Sequence, residues 1–180
     1  MCSGLGTADA GESISELIVE RYGNGLDSKV DLTGTALGKF LHRCFEVLGP
    51  NPVAANRLSI ITGVQLEDGM AQHIADCVTK FEGLLKQQFE PRSVARELPL
   101  LALDENGSVI SGVADLVMET ANGLWIIDHK SDQVNDLDVA FKNYRPQLKS
   151  YAKALVSEGS TVLGIGINWI RSGEVVMEQI

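Results

Sequence analysis

Residues 108–133, SVISGVADLVMETANGLWIIDHKSDQ, decide the fold, because a short turn here separates two β-rich runs. Branched and large apolar residues dominate both runs, and TANG between them has the composition of a hairpin turn. A third run, SVARELPLLAL (residues 93–103), precedes them across a second turn-forming stretch, DENG. Three consecutive strands joined by loops of hairpin length predict an antiparallel meander.

Helical periodicity precedes the meander. Residues 35–47 place apolar side chains such as Leu37 and Leu41 on one side of a helix. Residues 66–89 repeat apolar side chains at intervals of three and four, which is the strongest helical pattern in the chain. A shorter helix is also expected over residues 14–22.

The chain returns to helix after the meander and then to strand. Residues 137–156 have a helical pattern, with an interruption expected near Pro146, because proline lacks the backbone donor and clashes with the preceding turn. TVLGIGINWI (161–170) predicts a further strand, and EVVMEQI (174–180) predicts its partner at the edge of the sheet. The order of helix, three strands, helix and strand predicts an α/β fold with a mixed β-sheet flanked by helices.

Length and composition describe one globular domain. The chain has 180 residues, 44% of them hydrophobic and 22% charged, which excludes a disordered or fibrous protein. We therefore expect a single domain over residues 1–180, with a flexible start over 1–12 and a helical insert over 50–90 before the core strands. No apolar run is long enough to cross a bilayer and the first residues do not resemble a signal peptide, so the expected compartment is the cytoplasm.

Charge and cysteine content narrow the possible functions. The formal net charge of −9 argues against binding nucleic acid by bulk electrostatics, so a polyanionic partner requires a metal ion or a local basic patch. One patch is expected on the helix after the third strand, and its cations are Lys142, Arg145, Lys149 and Lys153. The alternative is a solvated helix face. The three cysteines are widely separated, which predicts free thiols.

Three charged residues lie within the second strand or at the end of the third. Asp115 interrupts the apolar run GVADLV, and Asp128 ends the run that begins at Leu124. In a hairpin these two carboxylates approach each other, and a hard cation such as Mg²⁺ relieves their repulsion. Lys130 points to the same face of the strand as Asp128, and this pairing suits phosphoryl chemistry at a metal ion. The alternative is an ordinary solvated strand end.

These residues resemble the D…DxK core of the PD-(D/E)XK nuclease superfamily, and specifically its RecB/AddA branch. GVADLV (112–117) and IIDHK (126–130) form the core, while GKFLH (38–42) resembles that branch's GxxxH motif and YRPQLKSY (144–151) resembles its Y…QLxxY motif. The resemblance covers most of the chain (34–170). It implies a restriction-endonuclease-like fold with an α-β-β-β-α-β core, which is the order that periodicity also predicts.

The resemblance implies a metal site and a catalytic group. His42, Asp115 and Asp128 are the expected metal ligands, together with the backbone carbonyl of His129. Lys130 is the expected catalytic lysine, with Asp115 and Asp128 as its acidic partners, and Mg²⁺ or Mn²⁺ is the expected cofactor. Without the GxxxH context, His42 would be interpreted as a hydrogen-bonded histidine at the boundary of the core.

The same resemblance assigns supporting roles. Glu97, in RELPL, matches an acidic position often found on the first strand, and we group it with the catalytic residues as an outer carboxylate or a weak metal ligand. The helix after the third strand is expected to contact or orient DNA through Gln147, Tyr151, Tyr144, Lys149 and Arg145. The alternative for the two tyrosines is ordinary helix packing.

The implied function is metal-dependent hydrolysis of DNA, as an exonuclease module of a helicase-nuclease that acts in recombinational repair. GTALGKF (34–40) has one residue too few between its glycines for a Walker A loop, so no ATP site is expected and the motor is a helicase partner. Three cysteines are too few for the iron–sulfur cluster of some relatives. The alternatives are an inactive nuclease fold that binds DNA or protein, and a stand-alone CRISPR-associated or phage-type exonuclease.

Overall fold

The computed structural model describes residues 16–26, 30, 32–103 and 107–180. Its strands are β1 (Ile18–Arg21), β2 (Ser93–Leu103), β3 (Val109–Glu119), β4 (Leu124–Lys130), β5 (Val162–Trp169) and β6 (Glu174–Gln179). Its helices are α1 (Gly34–Leu48), a 3-10 helix (Pro52–Arg57), α2 (Leu58–Thr62), α3 (Met70–Phe89) and α4 (Leu137–Ser157). The flexible start expected over residues 1–12 lies outside the described part of the chain.

The strands form one mixed sheet in the order β1-β6-β5-β4-β3-β2. Strands β2, β3 and β4 pair antiparallel, which confirms the predicted meander. Helix α4 then crosses over to β5, which pairs parallel with β4. The expected restriction-endonuclease-like α/β fold is therefore confirmed.

Helices pack on both faces of the sheet and enclose two hydrophobic cores. The core under α1 and α3 includes Phe45, Phe81 and Ile127, and the core under α4 includes Phe141 and Ile126. Neighbouring residues of β4 therefore point into different cores, because side chains alternate along a strand. This explains the continuous apolar run at the start of β4: the strand is central and has no solvated face.

The first strand corrects one prediction. Residues 14–22 were expected to be helical, but Ile18–Arg21 form β1, which pairs antiparallel with β6. The segment has helical periodicity, yet the exposed edge of β6 offers backbone hydrogen bonds that outweigh local propensity. Consequently β6 is not the edge strand that was expected, since β1 lies outside it.

Helix α4 corrects a second prediction. It runs without interruption from Leu137 to Ser157, through Pro146. Pro146 is exposed, while Phe141 and Leu148 on the opposite side of the helix are buried in the core. Packing of this inner face holds the helix together across the missing hydrogen bond. Within the described ranges, no helix has the length and apolarity that a membrane span requires.

Candidate active site

Four elements bring the candidate metal ligands together at one end of the sheet. His42 from α1, Glu97 from β2 and Asp115 from β3 each place one donor atom within 4.8 Å of the others, and β4 carries Asp128 beside them. Nδ1 of His42 lies 3.5 Å from Oδ2 of Asp115. We call His42, Glu97 and Asp115 the donor cluster.

The GxxxH spacing has a structural reason. Gly38 and His42 lie one helical turn apart and therefore share a face of α1. A Cβ atom on Gly38 would lie 3.1 Å from Oγ of Ser131, in the loop after β4. Glycine thus lets α1 approach the end of β4 closely, and this approach carries His42 to the donor cluster.

Glu97 reaches the donor cluster through an unusual backbone conformation. Its φ angle is +50°, and only one other described non-glycine residue, Glu90, has a positive φ. Residues two apart on a regular strand point to the same face of the sheet. Here Arg96 donates to Glu82 on α3, whereas Leu98 packs on the opposite face toward α4, so the alternation of side chains shifts by one residue at Glu97. Such backbone strain is concentrated at functional sites. The sequence did not reveal it, because glutamate gives no sign of a left-handed conformation.

Asp115 makes one polar contact to β4 and one to His42 on α1. Its Oδ2 accepts a hydrogen bond of 2.7 Å from the backbone N–H of His129 and faces His42. Burial raises the pKa of Asp115, but the hydrogen bonds from His42 and from the His129 backbone outweigh burial and lower it. Burial lowers the pKa of His42, yet the hydrogen bond and charge of Asp115 prevail and raise it.

Asp128 and Lys130 lie beside the donor cluster as an ion pair. Nζ of Lys130 is 2.5 Å from Oδ2 of Asp128, as their positions two residues apart on β4 predict. Asp128 is buried, and burial together with the nearby charge of Asp115 raises its pKa despite the ammonium of Lys130. In the part of the chain that the structure describes, this buried Oδ2 accepts no hydrogen bond of good geometry.

These donors fit a divalent cation. Two carboxylates and one imidazole in the donor cluster, with the carboxylate of Asp128 nearby, offer the oxygen and nitrogen atoms that Mg²⁺ and Mn²⁺ bind. A cation would also relieve the repulsion between the carboxylates of Asp115 and Asp128. The arrangement therefore suits a metal ion more than it suits an empty acidic pocket.

His129 points its side chain into the core rather than toward solvent. The ring packs 5.0 Å from Phe45 and 5.4 Å from Phe81, and Nδ1 lies 3.0 Å from Nδ2 of Asn168. Oδ1 of Asn168 in turn accepts a hydrogen bond from Tyr22. Burial lowers the pKa of His129 to about 3, so the ring is neutral. Asn168 was missed from the sequence, although a lone amide in the apolar run GIGINWI indicates a buried partner.

Helix α4 places its predicted DNA-contacting residues in different surroundings. Nε2 of Gln147 donates to the hydroxyl of Tyr151, and the ring of Tyr151 is buried against Gly112 on β3. This supports the packing alternative for Tyr151. Tyr144 lies at the active site instead, because its ring faces Nζ of Lys130.

The cations of α4 also divide into two groups. The expected role of Arg145 as a DNA contact stays a prediction, and in this structure Arg145 binds both carboxylate oxygens of Glu178 on β6 at 2.6 Å. The physical reason is that buried Glu178 requires a paired cation. Lys149 is partly exposed, and Lys142 and Lys153 are exposed, so the basic face consists of lysines.

An open cleft lies in front of the donor cluster. It has a volume of about 680 Å³ and is lined by His42 and Glu97 together with residues that sequence patterns did not reveal. Among those residues are Lys39, Arg43, Glu46, Ser131 and Asp132. Lys39 lies three residues before His42 and four before Arg43 on α1, so this helical spacing could have indicated both cations. The cleft therefore joins acidic metal donors to cations suited to phosphates.

A mixed sheet that carries acidic residues on β2, β3 and β4 and a lysine at the end of β4 defines a class of nuclease folds. The family model of the PD-(D/E)XK nuclease superfamily matches residues 16–174, and the chain belongs to this superfamily. A segment of 62 residues is 34% identical to one of the subunits of the ATP-dependent helicase/nuclease of Clostridium botulinum (strain 657 / Type Ba4). The segment makes up 34% of this chain and 5% of that protein. The RecB/AddA-type resemblance is thereby confirmed, and the chain forms a nuclease module.

Proposed function

We propose that this chain is a metal-dependent DNA nuclease domain, acting as an exonuclease module of a helicase-nuclease in recombinational DNA repair. The observation that carries this proposal is the donor cluster, whose donor atoms lie within 4.8 Å, beside the Asp128–Lys130 ion pair. The likeness to part of a helicase/nuclease supports a helicase partner, because the chain matches only 5% of that protein's length. One PD-(D/E)XK domain then accounts for the whole chain.

The proposed metal site consists of the donor cluster and Asp128, with the His129 carbonyl as a further ligand. When bound there, Mg²⁺ or Mn²⁺ polarises a phosphate oxygen and lowers the pKa of a coordinated water. Asp115 is held for this task by the N–H of His129, and His42 is held by Asp115. The chain itself thus fixes the ligands before any cation binds.

Lys130 supplies the positive charge of the proposed reaction. Its ammonium group is largely buried, with a side-chain exposure of 18%, and it lies next to Asp128. In such a site, a cation placed close to a phosphate stabilises negative charge that develops on the phosphate oxygens. Lys130 is therefore the proposed catalytic lysine.

DNA is the proposed substrate, and its backbone is bound in the cleft. Lys39 and Arg43 line the cleft beside His42. Helix α4 offers further solvent-accessible lysines, with Lys149 as the proposed contact and Gln147 positioning Tyr151. Because the chain has a net charge of −9, these few cations give weak binding, which suits a module that receives DNA from a helicase.

The test is cleavage of end-labelled single-stranded and duplex DNA by the purified chain with Mg²⁺, Mn²⁺ or EDTA. We expect cleavage that requires metal and falls by roughly 10²-fold or more in Lys130→Ala. Lys86→Ala is the matched control, because Lys86 is exposed on α3, away from the donor cluster. It should retain wild-type cleavage.

Two other outcomes would decide against the proposal. Cleavage that persists in EDTA would exclude a metal-dependent reaction. Metal binding by calorimetry without any cleavage, alone or after fusion to a helicase motor, would favour the inactive DNA- or protein-binding module. The complete set of His42, Asp115, Asp128 and Lys130 argues against that alternative, since a degenerate site needs none of them.

A further inference from the structure

Lys130 contacts an aromatic ring as well as a carboxylate. Its Nζ lies 4.6 Å from the centroid of the Tyr144 ring, within the distance at which an ammonium is attracted to an aromatic face. The same nitrogen is 2.5 Å from Oδ2 of Asp128. The ammonium group is thus held between a carboxylate on its own strand and a ring from α4.

Tyr144 is itself fixed from two further sides. Its hydroxyl donates a hydrogen bond of 2.7 Å to Oδ2 of Asp132, in the loop after β4. Its ring packs edge to face against fully buried Trp169, with centroids 5.9 Å apart. The Asp132 hydrogen bond raises the pKa of Tyr144 to about 12, so the phenol remains a donor. The ring cannot leave Lys130 without losing these contacts.

We propose that Tyr144 is a positioning residue that holds the Lys130 ammonium at the metal site, a role that rests on the proposed nuclease function. A lysine side chain has several rotatable bonds, and its ammonium is a mobile point charge unless contacts restrict it. Asp128 also serves as a proposed metal ligand, and sharing its carboxylate with a cation weakens the ion pair. The ring contact does not depend on that carboxylate and remains.

This role differs from the DNA contact expected from the sequence motif. A tyrosine that stacks on a base requires a free face, whereas one face of Tyr144 is directed at Lys130 and the ring also packs against Trp169. Loss of a base contact weakens substrate binding and raises KM. Loss of lysine positioning lowers kcat with KM unchanged, because the affected charge is used in the chemical step.

The kinetic experiment compares Tyr144→Leu, which removes the ring, with Tyr144→Phe, which keeps it. We expect kcat to fall roughly tenfold in Tyr144→Leu with KM unchanged, and to fall by less than about threefold in Tyr144→Phe. In a Lys130→Ala background, Tyr144→Leu should produce no further loss, since both changes act on one interaction. Asn143→Ala, at the exposed neighbouring position on α4, is the neutral control.

A second readout does not require activity. The ε-methylene protons of Lys130 lie near the ring face and should resonate upfield in the NMR spectrum of the metal-free protein. This shift should vanish in Tyr144→Leu and persist in Tyr144→Phe, with Lys130→Ala identifying the resonance. The positioning role of Tyr144 would be overturned by an unchanged chemical shift in Tyr144→Leu. It would also be overturned if Tyr144→Leu raised KM alone, or if the losses of activity in the double variant were additive. If the wild-type chain cleaves no DNA, either alone or after fusion to a helicase motor, the nuclease proposal fails while the NMR comparison still tests the contact.

Discussion

His129 lies between two site residues in the sequence, yet its ring is fully buried and neutral. Burial lowers its pKa to about 3, whereas the pKa of a histidine in an unfolded chain is about 6.5. Between these values the unfolded state binds a proton that the folded state does not. The free energy of unfolding should therefore fall as the pH drops through this window, by up to about 1.4 kcal/mol per pH unit.

The measurement is urea unfolding of the metal-free wild type and a variant side by side between about pH 4 and pH 7, because Asp128 and His42, whose pKa values are raised, contribute to the slope of both proteins. His129→Asn is the matched variant: it cannot be protonated, and its amide oxygen can still accept the hydrogen bond from Asn168. We expect the variant to be less stable overall but to lose most of the pH slope. An equal slope in both proteins would show that His129 is charged or solvated in the fold.

Gly112 gives a second prediction for a single residue. A Cβ atom there would lie 2.6 Å from Cε1 of Tyr151, whose hydroxyl is bound by Gln147. Gly112→Ala should displace the buried ring and lower the free energy of unfolding by about 1–3 kcal/mol. Gly83→Ala is the control: Gly83 is exposed in α3 with no atom near its Cβ position, so alanine should stabilise the helix by roughly 0.5–1 kcal/mol. Thermal unfolding of both variants tests the contrast.

At the residue scale, the sequence identified the residues suited to catalysis better than it identified the contacts that side chains make in the fold. Asp115, Asp128 and Lys130 stand out because charges interrupt apolar runs, and the structure places all three around one site. Arg145 was expected to contact DNA because it shares a helix face with Lys149 and Lys153, and its ion pair with Glu178 was not foreseen. Glu178 lies 33 residues away, on a strand that only the folded sheet brings beside α4. Local periodicity carries no information about such pairs.

At the scale of elements, β2 is shaped by the strained backbone of Glu97. A non-glycine residue at a φ of +50° is unfavourable by about 1–2 kcal/mol. Glu97→Gly and Glu97→Ala both remove the carboxylate from the donor cluster, but only glycine relieves the strain. We expect both to bind Mn²⁺ more weakly and Glu97→Gly to be the more stable of the two. Calorimetric metal titration and urea unfolding separate these effects, and equal stabilities would argue against backbone strain.

The same scale shows which elements sequence patterns can predict. The meander and α1, α3 and α4 follow from periodicity and turn composition, because each buries its own apolar face. The strand β1 was missed, since its four residues gain their partner only from β6. Pro146 was expected to break α4, but burial of Phe141 and Leu148 on the opposite face outweighs the lost hydrogen bond. In both β1 and α4, tertiary contacts determine the secondary structure.

At the scale of the whole molecule, the donor cluster exists only because three separate elements meet. His42, Glu97 and Asp115 are contributed by α1, β2 and β3, and the helices between α1 and β2 separate the first two in sequence. A nitrogen ligand beside carboxylates favours Mn²⁺ over Mg²⁺, which prefers oxygen. We therefore predict that Mn²⁺ supports DNA cleavage at least as well as Mg²⁺.

Removing the imidazole tests the source of that preference. Loss of even an outer contact of a metal site lowers metal affinity by roughly tenfold or more. His42→Ala, which removes a proposed ligand, should therefore lower Mn²⁺ affinity by at least this factor. His73→Ala, at an exposed position on α3, is the matched control and should bind Mn²⁺ like the wild type. If Mn²⁺ could not replace Mg²⁺ in the wild type, or if His42→Ala bound it unchanged, His42 would not be a ligand. The carboxylates of Glu97, Asp115 and Asp128 would then form an all-oxygen site, for which Mg²⁺ is the better match.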